Sequence, residues 1–350
     1  MIDLDVYRFA AQLWLAGGDI YGILPPTEAG ALPFMYPPVA AALYVPFGLL
    51  PSGVAGLAHA LLSMAALGLV MVVVLRSLDI RPTTVLVGMS LPAALVLEPV
   101  RATVFYGQVN LFLMALVVLD CLSPRPRWPR GALVGLAAAI KLTPAAFVLF
   151  FLLRGDRRAA ATALVSFLCV SAVGLALNPA GSLTFWTSVV FQAGRVGEAA
   201  VANQSLNGLL TRLGVERGLW WLMLAAVVVA IGVVAVRRAT HPLDALGLNA
   251  LVVLLVSPIS WTNHWVWCVP ILLAAWRARP ALAVGGALLF SLSPHLWWET
   301  GVPALTVGNA YLWCAAAVLA WRAASRATLA PEPTLTQPRT FVRILTGAWR

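Results

Sequence analysis

Residues 137–144, Ala137-Ala138-Ala139-Ile140-Lys141-Leu142-Thr143-Pro144, carry the chain's single lysine inside an apolar run that stops at a helix-breaking proline. A cation near mid-membrane costs roughly 2.5–3.5 kcal/mol on insertion scales, so it faces a cavity or a counter-charge in preference to lipid. The flanks sharpen the reading. Arg125, Arg127 and Arg130 precede this segment, and Arg154, Arg157 and Arg158 follow it. One crossing over 131–153 would put one of these basic clusters on the wrong side of the membrane. Residues 131–141 cover only about half the hydrocarbon at about 1.5 Å per residue. Two short helices folded back at Thr143-Pro144, with Lys141 at the bend, satisfy both constraints. Non-helical backbone at that depth must be covered by protein or water, which sets Lys141 beside a cavity.

The rest of the chain agrees with an all-α, polytopic membrane helical bundle with short re-entrant helices. Hydrophobic residues make up 61% and charged residues 10% of the 350, too apolar for a soluble domain. Spans are expected near 54–75, 82–98, 108–122, 158–177, 219–236, 243–258, 264–277, 281–294 and 302–321. Residues 39–50, after Pro37-Pro38, are too short to cross. The arginine loops 76/81, 125–130, 154–158, 237/238, 277/279 and 322/326 mark the cytoplasmic side. They also explain the net charge of +10 without a nucleic-acid partner. Residues 1–330 form one membrane domain, and 331–350, with its prolines and arginines, is a cytoplasmic tail. Cys121, Cys169, Cys268 and Cys314 show no metal-ligand or disulfide spacing.

Polar residues gather on the opposite side: Asp3 and Asp5, Asp19, Tyr36, Glu98, Gln108, Asn110, Asn203-Gln204-Ser205, Arg212, and Trp261 to His264. Carboxylate, amides, aromatic faces and a buried cation are the components of a carbohydrate site that also handles phosphate. Each has a plainer reading. Tryptophans and His264 suit an interfacial belt, Asn203 and Asn207 suit turns, and Gln108 and Asn110 suit bonds between helices.

The segments Asp3-Leu4-Asp5-Val6-Tyr7, Tyr36-Pro37-Pro38, Gly107-Gln108-Val109-Asn110, Gly135 to Pro144, Asn203-Gln204-Ser205 and Ser257 to Trp261 together resemble the integral-membrane glycosyltransferases of family 87. The resemblance runs in order over most of residues 3–322. It implies a GT-C type fold and an inverting transfer of a sugar, mannose first, from a polyprenyl-phosphate donor to a glycolipid or polysaccharide acceptor. The enzyme would sit in the plasma membrane with its active site extracytoplasmic. Asp3 would be the catalytic base and His264 would support the reaction centre. Lys141 and Arg212 would hold the donor phosphate, while Tyr36, Gln108, Asn110, Asn203, Gln204 and Trp261 would line the substrate site. No cofactor or metal is expected. Members of the family usually carry a span before the Asp pattern, so a first helix is expected to be missing here. They often pair two histidines where this chain has Asn263-His264. An arabinofuranosyl donor is the neighbouring alternative. A lipid-linked sugar flippase or a non-catalytic scaffold belongs to other classes. A flippase would be expected to show a repeat partner for the Lys141 break.

Overall fold

The structure, a computed structural model, describes residues 1–192, 197–215, 218–298 and 300–325. The tail 331–350 lies outside the described residues. Among those described, there is no named strand, only isolated bridges Thr27–Gly30 and Asn203–Trp261. In chain order, α1 (Ile2–Leu15), α2 (Pro38–Leu43) and α3 (Val45–Gly48) lead to α4 (Ser52–Ser77), α5 (Thr84–Val96), α6 (Glu98–Tyr106) and α7 (Asn110–Leu122). Then come α8 (Ala132–Ile140), α9 (Val148–Leu153), α10 (Arg157–Leu177), α11 (Pro179–Thr184), α12 (Val190–Gln192) and α13 (Leu206–Arg212). The remainder comprises α14 (Gly218–Arg238), α15 (Pro242–Val256), α16 (Cys268–Ala278), α17 (Pro280–Leu292), α18 (Gly301–Leu305) and α19 (Ala310–Ala324).

By length and apolarity, α4, α10, α14 and the 301–324 segment can each cross a membrane, so the chain is an all-α polytopic membrane protein. The span expected at 82–98 is broken. α5 ends at Val96 and α6 leaves at 86° to it. Pro99 lies in the first turn of α6 and has no N–H to continue the α5 ladder, so a new helix starts there. α7, α15, α16 and α17 hold only 11–15 residues each, short of a straight crossing.

The 131–153 segment does turn back. The α8 helix ends at Ile140, Lys141 is extended (φ −149°, ψ 129°), and a 3-10 turn over Thr143–Phe147 leads into α9. Gly131 lies against Ala159, and Gly135 against Ala163 and Ser166. The contacts climb both helices together, so α8 and α10 run parallel from the same end. The chain between them must therefore return. A Cβ on Gly135 would stand 2.2 Å from the Ala163 carbonyl oxygen, so only glycine allows this approach. Asp120, fully buried at the end of α7, fixes the start of α8 by accepting from Trp128 Nε1 and the N–H groups of Gly131 and Val134.

The arginine loops meet at one end of the bundle. His241 Nε2 bonds Ser77 O, Arg154 donates to Ala239 O, Arg238 to Ala323 O, and Asp244 faces both Arg277 and Arg322. The amide-rich loops are cross-linked at the other end, through Gln204 to Gly308 O, Asn203 to Ser260 and Asn110 to Asn263.

Candidate active site

Asp3 opens α1, an amphipathic helix whose Leu4, Val6, Tyr7, Ala10 and Ala11 are buried. Three devices hold α1 in place. Buried Arg8 donates to the carbonyls of Phe47 and Leu50 and pairs with Asp5 at 3.2 Å. Gln12 donates to Gly48 O at 2.8 Å. Gly107, left-handed at φ +73°, lets α1 approach the end of α6, since a Cβ there would meet Leu4 Cβ at 2.6 Å.

Gln108 follows directly. Its Oε1 accepts from Tyr7 OH at 2.9 Å and Tyr36 OH at 3.4 Å. Both phenols occupy the amide oxygen, so the amide NH₂ is left to bond Asp3. Burial pushes the Asp3 carboxyl above its ordinary value, while the Gln108 bond and the positive charge of Lys141 oppose the rise. Asp5 is held by Arg8, and Asp19 accepts from the Tyr21 N–H in an exposed turn. Asp3 is the aspartate that faces the cavity.

Lys141 caps α8 and donates to Asn110 Oδ1 at 3.1 Å. Its ammonium stands 3.1 Å from His264 Nε2 and 5.3 Å from the centre of the Tyr36 ring. An ammonium can only donate, so Nε2 accepts and the His264 ring proton lies on Nδ1, toward the Ile259 backbone. Asn110 Nδ2 and Thr103 Oγ1 both donate to Asn263 O, which fixes the turn carrying His264.

Asp3 and Lys141 line one cavity of about 1270 Å³. Tyr36, Gln108, Trp261 and His264 share its wall. Its other flank is apolar, with Leu149 and Leu152 from α9, Trp221 and Val229 from α14, and Val252 and Val256 from α15. The volume exceeds that of a usual small-molecule site. An oily flank beside a cation and a carboxylate suits an amphiphile with a phosphorylated, hydroxyl-bearing head.

The sequence profile of glycosyltransferase family 87 matches residues 34–258. The chain belongs to glycosyltransferase family 87. Its relatives include the polyprenol-phosphate-mannose-dependent alpha-(1-2)-phosphatidylinositol mannoside mannosyltransferase of Mycobacterium tuberculosis, 36% identical over 99% of this chain and 89% of that protein. The protein of that name from Mycolicibacterium smegmatis is 37% identical over 91% of this chain and 82% of its own length. A polyprenol-phosphate-mannose-dependent alpha-(1-2)-phosphatidylinositol pentamannoside mannosyltransferase of Mycobacterium tuberculosis is 36% identical over 93% of this chain and 81% of its own. No solved structure matches the chain.

Of the residues expected in this family 87 site, Asp3, Tyr36, Gln108, Lys141, Trp261 and His264 line the cavity. Asn110 stands behind Lys141. Asn203, Gln204 and Arg212 are placed elsewhere and bond mainly to backbone. Asn203 Oδ1 accepts from Ser260 N, Gln204 Nε2 donates to Val201 O and Gly308 O, and Arg212 reaches Ala200 O, Asn203 O and Asn309 Oδ1. They brace the loop that carries Trp261. Glu98 and His295 also line the cavity and were given no role from the sequence. The available signal is a carboxylate directly before Pro99 and, at His295, one of the chain's four histidines.

Proposed function

We propose that the chain transfers mannose from a polyprenyl-phosphate donor to a hydroxyl of a phosphatidylinositol-mannoside-like glycolipid, with inversion at C1, on the extracytoplasmic face of the plasma membrane. The observation that carries this reading is the shared cavity of Asp3 and Lys141 with its apolar flank. The relatives' names favour mannose over arabinofuranose and an acceptor lipid bearing mannose. The arginine-rich end faces the cytoplasm by the positive-inside rule, which leaves the cavity's polar mouth outside.

In this reading the prenyl chain lies along α9, α14 and α15, and the donor phosphate meets the third N–H of Lys141. The acceptor oxygen attacks C1 of mannose as the C1–O bond to phosphate breaks. Asp3 takes the acceptor's proton, and polyprenyl phosphate departs with the electron pair. A hydroxyl becomes a competent nucleophile only as its proton leaves, which is the task of a carboxylate held by Gln108 and favoured as the anion by the charge of Lys141. Phosphate is an adequate leaving group once its developing charge is met by a fixed cation, so Lys141 acts on the leaving group without a proton transfer. His264 and Asn110 hold that ammonium in place. An α product by inversion requires a β-linked donor. No divalent metal enters this scheme.

The test is Asp3→Asn in nanodiscs supplied with β-linked polyprenyl-phosphate mannose and phosphatidylinositol mannoside. Transfer should fall about 10²–10⁴-fold with donor binding intact. Normal turnover would remove Asp3 from the base role. Transfer from an arabinose donor and never from mannose would overturn the choice of sugar.

A further inference from the structure

A second polar group opens on the cavity at the far end of α6. Glu98 is 6% exposed and His295 5%, and both line the cavity wall with Thr262. Thr262 Oγ1 donates to Glu98 Oε1 at 2.8 Å, and Tyr311 OH to Oε2 at 3.3 Å. A carboxylate has about four lone-pair sites, so these two bonds leave it half satisfied. His295 Nε2 lies 3.9 Å from Glu98 Oε1, too far to bond. Its Nδ1 has no partner among the described residues. A buried ring nitrogen with no partner is less costly as a bare acceptor than as an N–H, so the ring proton belongs on Nε2, the nitrogen that faces Glu98. The chain reaches it through Ser293 in a left-handed conformation (φ +51°), which is unfavourable for a residue with a side chain. A gap of 3.9 Å between a carboxylate oxygen and a ring nitrogen is spanned by one hydroxyl, which donates to the first and accepts from the second.

We infer that Glu98 and His295 form a subsite that grips a hydroxyl of the acceptor headgroup away from the reacting centre. This rests on the proposed transfer to a polyhydroxylated lipid. The eight residue steps from Glu98 to Tyr106 advance about 12 Å along α6, so the gripped hydroxyl is remote from Asp3 and Gln108. Glu98 is therefore a specificity residue and not a second base. The apolar flank belongs to α9, α14 and α15, none of which carries Glu98 or His295, so the subsite serves the acceptor and not the donor's chain.

The experiment uses the full-length protein in nanodiscs, with phosphatidylinositol mannoside and analogues in which single headgroup hydroxyls are replaced by hydrogen. Glu98→Gln keeps an oxygen for Thr262 and removes the charge. It should raise the acceptor KM about 10- to 100-fold, with kcat and donor Kd within about twofold. One deoxy analogue should lose a similar factor on the wild type and nothing further on Glu98→Gln. His295→Gln should single out the same analogue, and it stands in if Glu98→Gln does not fold. An unchanged acceptor KM, or a deoxy penalty equal in wild type and variant, overturns the subsite. Direct binding of phosphatidylinositol mannoside to wild type and variants is measured alongside. A wild type that transfers nothing defeats the proposed reaction, while the binding difference still decides the subsite.

Discussion

Replacing Lys141 by methionine keeps the stem's length and removes the ammonium. Of its three N–H groups, two are engaged by Asn110 Oδ1 and His264 Nε2, each at 3.1 Å. The third is left for the donor phosphate. One charge-assisted bond is worth about 1.5–3 kcal/mol, so donor Kd should rise about 10- to 150-fold. The departing phosphate also loses its cation, which costs a further factor of about 10²–10³ in kcat, as for an oxyanion donor. The fold should survive. Leaving Asn110 and His264 unbonded costs about 1–3 kcal/mol each, and relief from burying an ammonium offsets it by a similar amount. The assay pairs equilibrium binding of polyprenyl-phosphate mannose with initial rates at varied donor and acceptor. Acceptor KM should stay within about threefold. A Lys141→Met enzyme with normal donor Kd and a weakened acceptor would refute the assignment of the phosphate to this end of the cavity.

The pH profile offers a second test. Asp3 works ionised and its carboxyl is raised by burial, so kcat/KM should be lost as pH falls through a point above the ordinary value of an aspartate. In Lys141→Met that acid limb should move to still higher pH, because the nearby positive charge no longer favours the carboxylate; an unmoved limb in a pH–rate titration would separate the two groups. Gly107→Ala should lower kcat about 10²-fold and stability by about 1–3 kcal/mol, since the new methyl strikes Leu4 and displaces α1; thermal unfolding and rates together check it. Chelation with EDTA should leave transfer unchanged within about twofold, and a loss restored by magnesium would contradict the lysine's role.

Much of this was legible because charge in a membrane is so constrained. Basic clusters on both sides of 131–153 require a turn near Lys141, and the parallel contacts of α8 with α10 agree. Polar residues sharing one side suggested a site, and the resemblance to family 87 singled out Asp3, Gln108, Lys141 and His264 among them. Local sequence could not show which amides face the cavity. Asn203 and Gln204 are as polar as Gln108, yet their bonds go to Ser260 N, Val201 O and Gly308 O, partners fixed only by tertiary structure. Glu98 and His295 are likewise joined across the fold. The straight span over 82–98 is not formed, because apolarity cannot carry the helix past Pro99, which starts a new helix at a steep angle.

Because α8 starts and α9 finishes at the same end of the bundle, the height of the Lys141 backbone is set by the length of this hairpin. One helical turn fewer in α8 would draw the cation down about 5.4 Å without inverting any later segment. Shortening α8 alone would thus re-site the cation for a longer or shorter headgroup, while the residues that α14 and α15 give to the oily flank keep their places.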